Sequence, residues 1–232
     1  MRKIVKSPQI PASLVNAPTP TSATEVLATI YKADDVRSQL LEDQHDKCAY
    51  CECSITKAYH DVEHYRPQSH YYWLGHEWKN LLYACNLCNR SLKNDSFPLL
   101  DESVKAFKPA DDVSLERPLI INPAYVDPSL HIKFRRYEAV GVTREGVETI
   151  DMFDLNNLKG KRAELVAARK QVFELYEIEK NLIAKLSPLL SRNDMPNDVR
   201  NTIQEAIRNA KLSIKKITSP SHPYSGMLTS QM

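Results

Sequence analysis

Five cysteines lie close together in the chain, and four of them form two pairs with the spacing of metal ligands. Cys48 and Cys51 form one Cys-x-x-Cys pair, and Cys85 and Cys88 form the other. Each pair makes a tight turn that aims two thiolates at one point, and two such turns complete a tetrahedral zinc site. The sequence therefore predicts a structural zinc held by these four thiolates. The alternative is four buried thiols that pack as small hydrophobic groups, and Cys53 is interpreted as a packed or spectator thiol.

The interval between the two pairs holds residues that could activate water and bind a second metal. It contains the segment DVEHYRP at 61–67, and Asn89 directly follows the last cysteine. An imidazole that is neutral near pH 7 suits His64 as a general base. The Glu63 carboxylate and the Asn89 amide oxygen form a hard donor set that favours Mg²⁺ or Mn²⁺. Because neighbouring strand residues point to opposite sides, alternation alone does not bring Glu63 and His64 to one centre.

Three basic residues near these groups are candidates for contacts with phosphate. They are Arg66, Arg90 and Lys93, and cationic side chains commonly bind the phosphates of a nucleic-acid backbone. An alternative is left open for Asn89, which could cap the helix that follows the second cysteine pair rather than bind a metal.

The order of these motifs resembles the HNH endonuclease family. The chain has a Cys-x-x-Cys pair, the Glu63-His64 pair with Pro67 three residues after the histidine, the Asn80-Leu81-Leu82 segment, and a second Cys-x-x-Cys pair followed by Asn and Arg. The resemblance covers roughly residues 48–98. It implies a ββα-metal centre, in which two strands and a helix surround one divalent ion. It also implies that Asn80 fixes the loop carrying His64 rather than touching the substrate.

A second resemblance extends over most of residues 1–162. The segments CAYCE at 48–52, VEHYRPQS at 62–69 and RPLIINP at 117–123 look like the nuclease subunit of Septu-type anti-phage defence systems, the PtuB-like class that also accompanies some retrons. It implies a DNA endonuclease with a partner ATPase of the ABC or structural-maintenance type. No GxGxxG or GxxxxGK motif is present, which fits a partner that supplies nucleotide chemistry.

Two other functions remain open at this point. The chain could be a non-catalytic zinc module that binds nucleic acid or the partner ATPase, or a nuclease that acts on RNA or tRNA. Nothing in the motif residues recognises a 2′-hydroxyl group, so the sequence does not separate DNA from RNA. The segment 159–232 carries 13 Lys and Arg against 7 Asp and Glu, and this excess could dock an acidic partner or follow a phosphate backbone.

The overall composition predicts a cytoplasmic protein without a membrane span. The net charge is +2, and no apolar run approaches the length that crosses a bilayer. The start of the chain has no apolar region typical of a signal peptide. An odd number of clustered cysteines favours metal binding in a reducing compartment over a disulfide framework.

The sequence patterns predict an α+β fold. We expect an HNH core stapled by the zinc, N-terminal helices, a short antiparallel strand region and a C-terminal helical lobe. The expected divisions are an extended arm at 1–21, an N-terminal helix with the nuclease core at 22–100, a strand-rich extension at 101–156, the helical lobe at 157–217 and a tail at 218–232. A capping box at Ser22 opens the first helix, which we expect to break around residues 33–35. Strands lie near 119–121, 131–134, 141–143 and 148–150, and Asn197 caps the last long helix.

Overall fold

The computed structural model describes residues 1–55 and 60–232. Residues 56–59, which fall inside the predicted nuclease core, lie outside the described part of the chain. The fold combines helices with two small antiparallel sheets, in agreement with the mixed architecture expected from the sequence. None of the helices in the described ranges is long and apolar enough to cross a membrane.

Residues 1–44 form an extended arm and three helices, the first of which lies within the arm predicted at 1–21. The helices are α1 (Ala12–Val15), α2 (Ala28–Tyr31) and α3 (Asp34–Gln44), and the break between α2 and α3 falls where the sequence places it. The predicted capping box is wrong, because Ser22 makes no capping hydrogen bond. Glu25 instead accepts hydrogen bonds from the backbone N–H and the hydroxyl of Thr21, so the carboxylate closes the turn one residue earlier.

Two strands and a helix form the centre of the molecule. Strand β1 (His60–His64) pairs antiparallel with β2 (Leu81–Cys85), and His64 lies opposite Leu81 in the register. A π-helical segment, Leu87–Lys93, follows β2 almost directly. The first cysteine pair precedes this unit, and the second pair lies within it, with Cys85 at the end of β2 and Cys88 in the helix. π-Helical turns are rare and are enriched at functional sites.

The segment 101–156 contains fewer strands than predicted. Strand β3 (Ile132–Arg135) pairs with β4 (Glu138–Gly141), but residues 119–121 form no strand and 148–150 belong to helix α4 (Arg144–Met152). The helix begins there because the Thr143 side chain accepts a hydrogen bond from the backbone N–H of Gly146, which satisfies one donor of the first turn. The strand predictions for 119–121 and 148–150 are therefore wrong.

Two long helices and a short one complete the chain. Helices α5 (Gly160–Leu186) and α6 (Asn197–Ile217) pack against each other, and α7 (Ser225–Thr229) follows. Asn197 is the first residue of α6 and makes no capping bond, since Pro196 precedes the helix in the cap position. Seven short 3₁₀ segments connect the described elements: Ala23–Glu25, Tyr72–Leu74, Trp78–Asn80, Glu102–Val104, Val113–Leu115, Pro128–Leu130 and Ser187–Ser191.

One hydrophobic core joins the arm, the central unit and the tail. It runs from Ile4 through Leu81 and Phe153 to Met227 and Leu228. The tail is more tightly held than its Pro- and Ser-rich sequence suggests. The backbone N–H of Phe134 donates to Ser230, and that of Met232 donates to Phe134. This packing places the end of the chain against β3.

Candidate metal centre and adjoining cleft

The four paired cysteines meet at one point. The sulfur atoms of Cys48, Cys51, Cys85 and Cys88 all lie within 4.8 Å of one another, and the Sγ atoms of Cys51 and Cys85 are 3.8 Å apart. A Zn–S bond of about 2.3 Å gives a tetrahedron with an edge of about 3.8 Å. The four thiols can therefore hold a metal such as zinc. Cys53 is not part of this group, and its carbonyl accepts a hydrogen bond from the backbone N–H of Cys48 at 3.0 Å.

A buried arginine contacts the cysteine cluster, a role that the sequence patterns do not predict. The Nη2 of Arg162, at the start of α5, lies 3.0 Å from the Sγ of Cys88, and both side chains are buried. Burial alone would lower the pKa of Arg162, but the charges of Cys88 and Cys51 outweigh it and raise that pKa. Four thiolates around Zn²⁺ carry a net charge of −2. A guanidinium in this position offsets part of it.

A polar cleft of about 170 Å³ lies beside the cluster and brings together three of the predicted site residues, Glu63, His64 and Asn89. It is lined by all of residues 61–64. A cleft lined by consecutive residues follows the edge of a strand rather than one face. Glu63 and His64 therefore line one cleft, which alternation along a strand alone does not provide. The other lining residues are Tyr31, Lys32, Pro67, Gln68, Asn89, Arg90, Asn94 and Asp95.

His64 is held in one tautomer. Its Nε2 lies 2.9 Å from the carbonyl oxygen of Gly75, and because a carbonyl only accepts, Nε2 carries the proton and Nδ1 keeps the lone pair. Tyr31 packs edge-on against the ring with the centroids 4.5 Å apart. Burial lowers the pKa of His64 to about 4, so the imidazole is neutral near pH 7 and can accept a proton.

Glu63 is buried and already paired with a cation. Its Oε1 lies 2.7 Å from the Nζ of Lys93 and accepts a hydrogen bond from the hydroxyl of Tyr50 at 3.3 Å. Burial raises the pKa of Glu63, although Lys93 and Tyr50 oppose that shift. Within residues 1–55 and 60–232, no hydrogen bond uses the second carboxylate oxygen, Oε2.

The oxygen donors of the cleft fit a hard divalent cation. Glu63 offers Oε2, and the side chain of Asn89 lines the cleft without a hydrogen bond to the described residues. The buried Oε1 of Gln68, which also lines the cleft, has no hydrogen-bond partner among them. Carboxylate and amide oxygens are ligands for Mg²⁺ or Mn²⁺. The positive charge of Lys93 acts against such an ion, so its affinity is expected to be modest.

Two cations at the cleft share one carboxylate. Asp61 Oδ2 lies 2.7 Å from the Nζ of Lys32 and 2.8 Å from the Nη2 of Arg90. The side chain of Arg90 is 66% exposed and that of Lys32 is 25% exposed, so both can still meet a solute. Lys32 follows α2, far from the cysteine motifs in sequence, and no motif spacing points to it. It is the main residue of the cleft that the sequence does not reveal.

Asn80 lies beneath the cleft rather than in it. Its Oδ1 accepts from the backbone N–H of Arg66 at 2.8 Å. Its Nδ2 donates to the carbonyl oxygens of Arg66 at 3.0 Å and Leu74 at 3.2 Å. These bonds connect the segment after His64 to the loop that ends at Gly75. Asn80 therefore joins the backbone that carries the imidazole to the loop that orients it.

Two of the three predicted phosphate contacts are held by buried carboxylates. Lys93 is fully buried, and besides Glu63 it donates to the carbonyl oxygen of His64. Arg66 forms an ion pair with the fully buried carboxylate of Glu116 at 2.8 Å and donates to the carbonyl of Val113. Desolvating an ion is costly unless a partner compensates it, so these cations stay with internal anions. Of these three residues, Arg90 alone lines the cleft with an exposed side chain.

The buried position of Lys93 predicts a large loss of stability when its charge is removed. In Lys93→Met, the Glu63 carboxylate loses its counter-charge inside the protein. Breaking a buried pair in this way costs about 3–5 kcal/mol, so we expect a loss of that order in the free energy of unfolding, measured by urea denaturation.

A matched surface pair serves as the control. Lys180 and Glu177 form an exposed ion pair on α5, and Lys180→Met should change stability by less than about 1 kcal/mol. The double variant Glu63→Gln with Lys93→Met should recover part of the loss. Equal effects of the Lys93 and Lys180 substitutions would contradict the buried-pair assignment.

Comparison with known proteins connects this site to a family. No family model matches the chain. The chain is 30% identical over 233 aligned positions to the Septu protein PtuB of Bacillus mycoides (strain KBAB4), covering 90% of this chain and 77% of that protein. It is 31% identical over 159 positions to the Septu protein PtuB of Bacillus thuringiensis, covering 66% of this chain and 54% of that protein. At this identity and coverage, the chain belongs to the Septu PtuB family.

Proposed function

We propose that this protein is a metal-dependent endonuclease of the HNH type that hydrolyses phosphodiester bonds of DNA. The observation that carries the proposal is the single cleft lined by Glu63, His64 and Asn89, beside a four-thiol cluster. The strands β1 and β2 and the helix at 87–93 correspond in order to the two strands and helix of a ββα-metal unit. The proposal extends the resemblance found in the sequence to the geometry of the site.

His64 acts as the general base. Its Nδ1 accepts the proton of an attacking water, while the bond from Nε2 to the Gly75 carbonyl keeps the ring in the correct tautomer. When the ring becomes an imidazolium, that bond is retained, because Nε2 stays protonated. Asn80 hydrogen-bonds to both backbone segments that set the orientation of the His64 ring. Asn80 is therefore a positioning residue, as the resemblance implies.

Glu63 and Asn89 would hold the catalytic Mg²⁺ or Mn²⁺, and the four thiolates would hold a structural Zn²⁺. When bound, the divalent ion supplies positive charge where the leaving oxygen becomes negative. Lys93 keeps Oε1 of Glu63 in place, and Oε2 is the carboxylate oxygen that would be available as a ligand. Arg90 and Lys32 bind the phosphates on either side of the scissile bond, and Asp61 holds both cations at the cleft.

Because Lys32 is assigned to a phosphate contact, replacing it should weaken DNA binding and make that binding less dependent on salt. Removing one contact to a phosphate lowers the slope of log K against log salt by about 0.9 for duplex DNA. We expect Lys32→Ala and Arg90→Ala each to reduce the slope by about that amount, measured by fluorescence anisotropy of a labelled duplex. Lys108 is exposed and lies outside the cleft, so Lys108→Ala is the control. Unchanged slopes in both cleft variants would remove these residues from the substrate contacts.

We further propose that the nuclease acts in bacterial anti-phage defence, in the cytoplasm, together with a partner ATPase of the ABC or structural-maintenance type. The family membership supports this role, and the thiol cluster suits a reducing compartment. The partner would hold or restrain the nuclease until infection. The basic helical region α5–α6 is one candidate for its docking surface.

One observation favours the non-catalytic alternative. Glu63 already has a cation, Lys93, at 2.7 Å, so the cleft is electrically balanced without a divalent ion. A zinc-stapled module that binds nucleic acid or the ATPase would retain such a pair.

A plasmid-nicking assay with the partner ATPase present separates the two functions. Nicking that requires Mg²⁺ or Mn²⁺ is the result expected for the nuclease, and binding without nicking at any concentration of either ion is the result expected for the module. The same assay with a structured RNA in place of the plasmid tests the RNA alternative.

A further inference from the structure

Two apolar pockets lie on either side of an exposed aromatic ring, away from the cleft at Glu63. The first pocket has a volume of about 360 Å³ and is lined by Pro118, Ile120 and Val126 among others. The second has a volume of about 410 Å³ and is lined by Ile4, Ile10 and Trp78 among others. Both volumes are in the range of small-molecule sites. Tyr125 lines both pockets, and its residue is 54% exposed. We call this surface the Tyr125 groove.

Each pocket carries an exposed cation that no close ion pair holds. Arg117 lines the first pocket and Lys79 lines the second. In the described ranges 1–55 and 60–232, neither side chain makes a hydrogen bond or an ion pair within 4 Å, and Glu145, which also lines the first pocket, lies within electrostatic range of Arg117. This differs from Arg66 and Lys93, which carboxylates hold at 2.8 and 2.7 Å. Exposed cations without a close ion pair are available to a ligand.

The wall of the first pocket also holds a donor without a partner. Asn122 is buried and lines this pocket. Its Oδ1 accepts from the backbone N–H of Ala124, whereas its Nδ2 has no acceptor among the described residues. A buried polar group without a partner costs free energy. A ligand that offers an acceptor at the rim of this pocket would relieve that cost.

We propose that the Tyr125 groove binds a single-stranded segment of nucleic acid, with successive bases in the two pockets and the ring of Tyr125 between them. Exposed aromatic rings with basic neighbours are the features that bind single strands without sequence preference. Phosphates would meet Arg117 and Lys79, and the acceptor edge of a base would approach Asn122. This inference rests on the proposed function, because it assigns to the nuclease a surface for its substrate strand.

The arrangement suits a single strand better than a duplex. Bases in a duplex are stacked on each other and present only their edges to a protein, so their faces cannot enter an apolar pocket. A docked peptide would also fill apolar pockets, but it would not need the exposed cations Arg117 and Lys79 beside them. Tyr65 and Arg66, the two residues after His64, line the first pocket, so the groove and the cleft are lined by neighbouring residues of the chain.

Binding of labelled oligonucleotides to the full-length protein tests the groove without relying on cleavage. The probe is a strand of about 12 nucleotides, within the usual site size, and fluorescence anisotropy is measured with no added Mg²⁺ or Mn²⁺. We expect Tyr125→Ala to weaken binding by roughly fivefold to 100-fold, the effect of losing one stacked base. Phe107 is 73% exposed and lies outside both pockets, so Phe107→Ala should bind as the wild type does.

Three further measurements separate stacking and charge from a structural effect. Tyr125→Phe loses the hydrogen bond from its hydroxyl to the Lys79 carbonyl but keeps the ring, and it should bind normally. Arg117→Ala and Lys79→Ala should each lower the salt slope by about 0.7, the value for a single-strand phosphate contact. Arg135→Ala, at an exposed position outside the pockets, should leave the slope unchanged.

The outcomes distinguish this inference from the proposed function. Equal effects of Tyr125→Ala and Phe107→Ala, or tighter binding of the matching duplex than of the single strand, would overturn the groove while metal-dependent nicking could persist. If nicking is absent but the Tyr125 effect is found and disappears on an abasic strand, the groove stands and the nuclease proposal fails.

Discussion

Replacing Cys48 with serine will abolish metal binding and unfold the centre of the protein. A structural zinc contributes about 10–16 kcal/mol in small zinc domains, which matches or exceeds the total stability of most proteins. Cys48 and Cys51 lie in the loop after α3, and Cys85 and Cys88 lie at the end of β2 and in the helix after it. Without the metal, the loop is still held by the bond from Ala49 N–H to the Tyr83 carbonyl and by the contacts of Tyr50 and Lys93 with Glu63, which are much weaker than four metal–thiolate bonds. We expect less than about one-tenth of the wild-type zinc content and loss of the cooperative thermal transition.

Cys53 provides the matched control for that experiment. It is close in sequence to the same loop but does not belong to the group of four sulfurs. Cys53→Ser should therefore keep one zinc per chain and a nearly unchanged melting temperature. Chelation of the wild-type protein should reproduce the Cys48→Ser result. A stable, cooperatively folded Cys48→Ser variant that retains its zinc would show that the four thiols are packed as hydrophobic groups instead.

The cysteine cluster could be predicted from the sequence because its geometry is local. The two residues between the cysteines of each pair form a tight turn. A single contact between strands is enough to bring the two turns together. The same locality explains why the position of the break between α2 and α3 was correct. The segment 148–150 was wrongly predicted as a strand because the β-branched residues Thr149 and Ile150 favour strands, and the helix start at Thr143 was not recognised. The capping bond of Thr143 to Gly146 and packing against β4 decide that segment.

The roles of the charged residues could not be predicted, because they depend on partners distant in sequence. Lys93 and Arg66 look like phosphate ligands until the carboxylates of Glu63 and Glu116 are seen beside them. Lys32 lies 29 residues before Asp61 in the sequence, and only the fold brings it to the cleft. The Tyr125 groove combines the arm, the loop before β2 and the segment 117–126. No periodicity in the sequence connects these parts.

Under the proposed nuclease function, replacing His64 with alanine will lower the rate of DNA cleavage by about 10²–10⁴-fold, the contribution of a general base. Burial lowers the pKa of His64 to about 4, so the wild-type ring is neutral at pH 7 and ready to accept a proton at Nδ1. The variant keeps Glu63, Asn89 and the four thiols. Its zinc content and its affinity for DNA should therefore remain close to those of the wild type. Single-turnover cleavage of a labelled duplex, with Mg²⁺ and the partner ATPase present, measures the effect on chemistry alone.

A second buried histidine separates loss of the base from loss of packing. His76 is as buried as His64, but it accepts a hydrogen bond from the backbone N–H of Leu27 and contacts the carbonyl of Pro18, and it does not line the cleft. His76→Ala should lower the melting temperature with little effect on the cleavage rate of the folded protein. Added imidazole should restore part of the activity of His64→Ala, because it can enter the space that the ring leaves, and it should not affect His76→Ala. If the two variants lose activity only in proportion to their stability, and imidazole rescues neither, then His64 is a structural histidine. The cleft would then lack a base.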